Sequence, residues 1–215
     1  MAHQTPILTI TLNPALDLAT SAEEVRPGPK LRCDAPRADP GGGGINVSRV
    51  IGRLGGNSKA FVALGGPTGQ RLRDLMARED MDIVVLDVPG ETRESLSVTE
   101  RATGRQFRFV MPGPVWTRTS ERAALSAIAG AAAPGGFTVL SGSRPPGLPH
   151  DLPAKIGRRI AEVGSRLVLD TSGETLARAA IPPLPAHVLR MDSAEAETLA
   201  GYTLSTREES ADFAR

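Results

Sequence analysis

The feature that most constrains this chain is an alternation of short β-prone runs with segments whose apolar residues recur at helical spacing. Ile7 to Leu12 reads as a buried strand that ends in the turn signal Asn13-Pro14. After a glycine run, Val47, Val50, Ile51 and Leu54 recur at helical spacing, and Gly55-Gly56 supplies the stop. A strand follows at Lys59 to Leu64, a helix carries Leu72, Leu75 and Met76, and a further strand spans Ile83 to Val88. This β-α-β-α-β order predicts an α/β fold with a mostly parallel sheet covered by helices. The order resumes with a helix around Leu125 and Ile128, a strand at Phe137 to Leu140, and a helix carrying Leu152, Ile156, Ile160 and Val163. Strands at Arg166 to Leu169 and His187 to Met191 follow. Aromatic residues are only 3% of the chain, so Val, Leu, Ile and Ala must build the core.

Two stretches interrupt the alternation. Residues 19–40 are polar and proline-broken, with Lys30-Leu31-Arg32-Cys33 as the one strand-like piece, and read as a surface excursion. Within residues 91–111, Ser95 to Glu100 and Arg105 to Met111 flank Ala102-Thr103-Gly104 as a β-hairpin appended to the α/β order. Near the end, Ser205-Thr206-Arg207-Glu208 has capping-box spacing and predicts a helix start. No strand or stop signal follows before Arg215, so the reading expects residues 1–215 to be a single, incomplete α/β domain.

Composition excludes several classes. The 25 Lys and Arg against 24 Asp and Glu give a net charge of +1, without the positive field of a dedicated nucleic-acid or membrane-surface binder. The longest apolar runs fall far short of the ~18 to 20 residues that span a bilayer, and the start lacks the pattern of a secretory signal. A single cysteine, Cys33, makes no internal disulfide, and the expected compartment is the reducing cytoplasm. His3, His150 and His187 are scattered without ligand spacing, so neither a structural zinc nor a Cys-His pair is supported.

Several residues have a chemical and a purely structural reading. The run Gly41-Gly42-Gly43-Gly44-Ile45-Asn46 opens a helix, whose free N–H groups suit phosphate or hydroxyl oxygens; the alternative is a flexible loop. No Lys-Ser or Lys-Thr follows, so it is not a Walker A loop, and Val47 spoils a dinucleotide fingerprint. Asp17 lies just past the first strand, where open α/β sheets present ligand groups, or it is a solvated surface carboxylate. Arg93, Arg105 and Arg108 lie on or beside the hairpin, either to bind an anion by guanidinium fork or to form its wet face. Ser141-Gly142-Ser143 precedes a Pro-Pro-Gly turn that either offers hydroxyls or only reverses the chain. Asp192 with Glu195 fits a helix cap as well as a metal or nucleotide role.

Taken together, the motifs resemble the PfkB family of carbohydrate kinases, and within it the phosphofructokinase branch. The resemblance covers essentially the whole chain. It rests on Leu12-Asn13-Pro14-Ala15-Leu16-Asp17, Lys30-Leu31-Arg32-Cys33, the segment Pro40 to Val47, and Gly104 with Arg105 to Gly113. It continues through Leu140 to Gly147 and Asp170-Thr171-Ser172-Gly173-Glu174. It implies a ribokinase-like three-layer αβα sandwich with a small β-sheet lid formed by residues 19–40 and 91–111.

The activity implied is transfer of the ATP γ-phosphate to a sugar phosphate, foremost fructose 6-phosphate to fructose 1,6-bisphosphate. 1-Phosphofructokinase and tagatose-6-phosphate kinase chemistry are the alternatives within the class. A non-catalytic sugar-phosphate-binding fragment or partner subunit is the alternative outside it. By residue-wise carry-over, Asp17, Gly41, Gly42, Gly43, Gly44, Asn46, Arg93, Arg108 and Ser143 contact the sugar phosphate, Arg190 and Asp192 contact ATP, and Glu195 is linked to magnesium. The family's Lys-Pro-Asn is here Arg190-Met191-Asp192, and the added carboxylate either repels triphosphate or helps hold the metal. The family's catalytic aspartate, in a Gly-Ala-Gly-Asp motif, is expected beyond Arg215, so no catalytic residue is assigned in this chain. The resemblance also implies a homodimer paired through the lid.

Overall fold

Alternate residues of Lys59–Leu64 sit in two different apolar cores. Phe61 and Ala63 pack with Ile10, Leu12, Ile128, Ile156 and Leu169, whereas Ala60, Val62 and Leu64 pack with Leu16, Ile45, Leu72 and Met76. A strand with period-two side chains buried on both faces must lie in the middle layer of three. The computed structural model, which describes residues 4–183 and 186–214, has that architecture.

In chain order the elements are β1 (Ile7–Thr11), β2 (Ala15–Ala22), β3 (Arg37–Gly41), α1 (Gly43–Arg53), β4 (Lys59–Leu64), α2 (Gly66–Arg78), β5 (Asp82–Asp87), β6 (Arg93–Glu100) and β7 (Gln106–Val110). They continue with α3 (Arg118–Ala131), β8 (Phe137–Ser141), α4 (Leu152–Val163), β9 (Arg166–Asp170), α5 (Gly173–Ala179), β10 (Val188–Arg190), α6 (Ser193–Ala200) and α7 (Arg207–Phe213). The large sheet has the order β10-β9-β8-β1-β4-β5, and each of its pairings is parallel. A smaller sheet has the order β3-β2-β6-β7, antiparallel at both edges and parallel between β2 and β6. The α/β reading with a mostly parallel sheet and a second small sheet is therefore what forms.

Departures from the sequence reading fall where local signals are weak. Lys30-Leu31-Arg32-Cys33 is exposed and forms no strand. The strands of this stretch are instead β2, in which Leu16 and Leu18 alternate with small and polar residues, and β3, which contains Pro40. Pro40 is tolerated because β3 is an edge strand, where a missing N–H need not break a ladder. Helix α5 was not anticipated, and α7 is capped one residue later than its spacing suggested, by Thr206 with Glu209. His3 and Arg215 lie outside the described residues.

Helix α1 forms as expected, but it packs through Gly44, Ile45 and Ser48 rather than through its apolar stripe. Val50 is 51% and Leu54 82% exposed. The cause lies on β1, whose inward face toward α1 is polar. Thr9 and Ser48 share a 2.7 Å hydrogen bond, and the Ile45 N–H donates to Thr11 Oγ1 at 3.0 Å. These buried hydroxyls need partners, and small residues on α1 let the helix approach closely enough to provide them.

Candidate functional site

In the large sheet the chain passes from β1 to β4 on one side and later to β8 on the other. Ligands of open α/β sheets bind outside the carboxyl ends of strands at such a switch point. Here the residues just past β1 and β8 meet: Asn13 Nδ2 donates to Ser143 Oγ at 3.0 Å. Next to it, β9 ends at Asp170, whose Oδ2 accepts from Ser141 Oγ at 2.7 Å and whose carbonyl accepts from the Gly142 N–H at 3.0 Å.

The glycine run crosses this edge in close contact, which answers the flexible-loop alternative. A Cβ on Gly41 would stand 2.2 Å from Asp17 Oδ2, and one on Gly43 would stand 2.1 Å from Ser141 Oγ. At Gly44 it would meet the Ile10 carbonyl at 2.6 Å. Gly42, with φ of 138°, is the N-cap of α1 and would press a side chain onto Thr11. Backbone rather than side chain must occupy each of these places, so the chain at the start of α1 passes close to Asp17, Thr11 and Ser141.

The second sheet supplies the charged groups. Residues at alternate positions of a strand share a face, and directly paired residues share it across strands. Register places Asp17 of β2 opposite Asp39 of β3 and Ser95 of β6, and Arg108 of β7 opposite Ser97. Arg93, at the start of β6, has the same parity as Ser95 and Ser97. It donates from Nε and Nη2 to the Asn13 carbonyl at 3.2 and 3.1 Å, which ties β6 to the end of β1. An open cleft of about 1390 Å³ is lined by Asp17, Asp39, Asn46, Arg49, Ser95 and Arg108 among others. Arg105 sits at the hairpin turn instead and does not line the cleft.

Burial pushes the Asp17 carboxyl above its ordinary range, and Asp39 adds to the rise; Arg93, Arg108 and Arg49 oppose it. Burial likewise draws the Arg93 guanidinium down, against the pull of Asp17. The cleft thus joins a half-buried carboxylate, an acceptor of hydroxyl hydrogens, to guanidinium groups that can hold an anion.

Arg190, Asp192 and Glu195 form a separate group at the ends of β9 and β10. Arg190 Nη1 donates to Asp170 Oδ1 at 3.1 Å and lies 3.9 Å from Glu195 Oε2. Asp192 and Glu195 cap α6 reciprocally, with both hydrogen bonds at 2.9 Å. Among the described residues no three His, Cys, Asp or Glu side chains cluster as a ready metal site. Asp170 links this group to the glycine run through Ser141. Sequence reading assigned it no role, although it follows a strand end as Asp17 does. Asn13 and Arg49 were missed as well; Arg49 is three residues beyond Asn46 on α1, a spacing that puts both on one face.

Comparison with known proteins decides the family. The model of the pfkB family carbohydrate kinases matches residues 10–215. The chain belongs to the pfkB family of carbohydrate kinases. It is 46% identical over 167 residues to the ATP-dependent 6-phosphofructokinase isozyme 2 of Mycobacterium tuberculosis, covering 78% of this chain and 49% of that protein. It is 34% identical over 173 residues to the 1-phosphofructokinase of Bacillus subtilis, covering 80% and 56%. The phosphofructokinase-2 of Escherichia coli in complex with fructose-6-phosphate superposes with a TM-score of 0.89 at 34% identity, over 98% of this chain and 69% of that one. This pfkB family chain spans about half the length of the curated relatives it matches.

Proposed function

We propose that the chain carries the sugar-phosphate half of an ATP-dependent sugar-phosphate kinase whose substrate is fructose 6-phosphate and whose product is fructose 1,6-bisphosphate. One observation carries the reading: Asp17, with Arg93 of β6 and Arg108 of β7 acting on it, stands against Gly41 at the end of β3. Asp17 and Asn46 take sugar hydroxyls, while Arg93, aided by Arg108, takes the phosphate already on the sugar. Ser143 and the amides of Gly41 to Gly44 complete the enclosure. In the reaction a sugar hydroxyl oxygen bonds to the γ-phosphorus of ATP, the bond from that phosphorus to the bridging oxygen breaks, and ADP leaves with the electron pair. The hydroxyl proton passes to a base that is not assigned to any residue of this chain. Such transfer depends on positioning and charge stabilisation, which is what these residues supply.

At the second group, Asp170 and Glu195 offer hard oxygen donors, and magnesium in kinases is commonly held by one or two carboxylates with the phosphates. That donor chemistry fits a magnesium ion accompanying ATP, which would neutralise phosphate charge; Arg190 and Asp192 lie beside the same phosphates. The smaller sheet acts as a lid that excludes water from the sugar hydroxyl. Its edge strand β7 exposes Phe109 and Val110, half or more of each, which supports pairing with a second copy.

Calorimetric titration of the 215-residue chain with fructose 6-phosphate, fructose 1-phosphate and fructose tests the reading. Saturable binding strongest for fructose 6-phosphate is expected, and Arg93→Ala should weaken it far more than binding of free fructose. Preference for fructose 1-phosphate would move the assignment to the 1-phosphofructokinase branch, which the Bacillus relative also supports. Binding without ATP turnover would confine the chain to sugar-phosphate binding.

A further inference from the structure

Arg49 lines the cleft, and the reading above gives it no task. It lies one helical turn beyond Asn46 on α1, with both side chains on the same face. Its Nη1 donates to Asn46 Oδ1 at 2.7 Å, and its Nη2 reaches the carbonyl of Pro40, the residue before the glycine run, at 3.2 Å. Nε and Nη2 also fork onto the two carboxylate oxygens of Glu79 at 2.6 and 2.9 Å. Glu79 caps the C-terminal end of α2, so the guanidinium fastens α1 and the end of β3 to a third element. The ion pair is mostly shielded, with the side chains 21% and 32% exposed.

Guanidinium groups only donate, so the end of the Asn46 amide that faces Arg49 must be the oxygen. Nδ2 makes no hydrogen bond with any described residue and is the end left for a ligand. The consequence is chemical. Asp17 in the same cleft only accepts when ionised, whereas a sugar hydroxyl donates one hydrogen bond and accepts others. A cleft with Asp17 as acceptor and Asn46 Nδ2 as donor complements hydroxyls in both senses. An unheld amide is free to turn through 180° and to present its oxygen as readily as its nitrogen.

We propose that Arg49, braced by Glu79, is a positioning residue that locks the Asn46 amide with its nitrogen toward the cleft and holds the start of the glycine run, thereby setting recognition of sugar hydroxyls. The inference rests on the sugar-phosphate reading for its consequence, but not for the clamp itself. Two arms of one experiment separate these. In the first, the Asn46 side-chain amide is followed by ¹⁵N NMR without ligand in the 215-residue chain and in Arg49→Lys and Glu79→Gln, with melting temperatures as a control for folding. The Lys variant keeps the charge and loses the fork, so the Asn46 side-chain amide signal should shift toward that of a free, solvent-exposed amide, with a smaller change of the same kind in Glu79→Gln. An unmoved Asn46 amide in Arg49→Lys overturns the clamp whether or not any sugar binds.

In the second arm the same proteins are titrated with fructose 6-phosphate and with inorganic phosphate. Loss of about one hydrogen bond predicts roughly tenfold weaker binding of fructose 6-phosphate in Arg49→Lys, with phosphate affinity unchanged. Equal losses on both ligands would overturn the role in hydroxyl recognition. Absence of fructose 6-phosphate binding by the unaltered chain would sink the proposed function, while the amide signal still decides the clamp.

Discussion

At Asp17, burial and the proposed role in holding sugar hydroxyls pull in opposite directions. The folded chain raises its pKa because burial disfavours the charged form, an effect that Arg93 and Arg108 only partly offset. A carboxyl whose pKa is higher folded than unfolded favours the folded state while protonated, so that contribution is lost as pH rises through the folded value. Asp17→Asn should therefore raise the melting temperature at neutral pH while weakening fructose 6-phosphate binding at least tenfold, for loss of a charge-assisted acceptor. Scanning calorimetry and titration on the same sample read both; a variant that loses stability along with affinity would contradict this balance. The pH profile carries the same sign: binding by the unaltered chain should fall on acidification starting above the ordinary carboxylate range, and that step should vanish in Asp17→Asn. Gly43 shows the steric counterpart. Its missing Cβ leaves room for Ser141 Oγ and for the Ser141 backbone carbon, which would lie at 2.8 Å. Since a backbone atom cannot rotate away, Gly43→Ala should cost about 1 to 3 kcal/mol in urea denaturation, whereas Gly52→Ala, with open space around it, should not destabilise.

Among the elements, what could be read from residue order depended on whether an element's signal is local. The strands β1, β4 and β8 declare themselves as β-prone runs because both their faces are covered. Helix α4 does so because Leu152, Ile156 and Ile160 form one stripe buried on the core. Strands β2 and β3 do not, since their stability comes from pairing with each other and with β6, a long-range contact that no short window contains. The site divides the same way. Asp17 and Ser143 come after the ends of legible strands and the glycine run opens a legible helix, so all three are visible there. Asn13 becomes important only when the fold brings Arg93 and Ser143 to it, across 80 and 130 residues of chain. Helix α6 lets the capping and nucleotide readings of Asp192 be separated. Asn caps about as well as Asp, and Ala does not. Asp192→Asn should thus leave stability within about 0.5 kcal/mol, while Asp192→Ala should cost about 1 kcal/mol, both measured by thermal denaturation. Any change in ATP affinity in the Asn variant then reports the charge rather than the helix.

On the scale of the whole molecule, large apolar side chains are exposed at several places among the described residues, and two of these, on α1 and on β7, call for different explanations. The α1 stripe of Val50 and Leu54 faces outward because polar contacts with β1 claimed the other side of the helix. The β7 edge is different, since it combines exposed Phe109 and Val110 with the unpaired backbone groups of an edge strand. Only the second offers hydrogen bonds as well as apolar area to an identical partner, and a sheet edge that pairs with its own copy closes on itself as a dimer. Self-association should therefore depend on β7 and not on α1. Sedimentation velocity of the 215-residue chain is expected to show a dimer, which Phe109→Glu shifts toward monomer by placing like charges at the pairing edge. Leu54→Glu should leave the distribution unchanged. If the α1 substitution dissociates the dimer and the β7 substitution does not, the pairing surface has been placed on the wrong sheet, and the lid would have to close over the sugar without a second copy behind it.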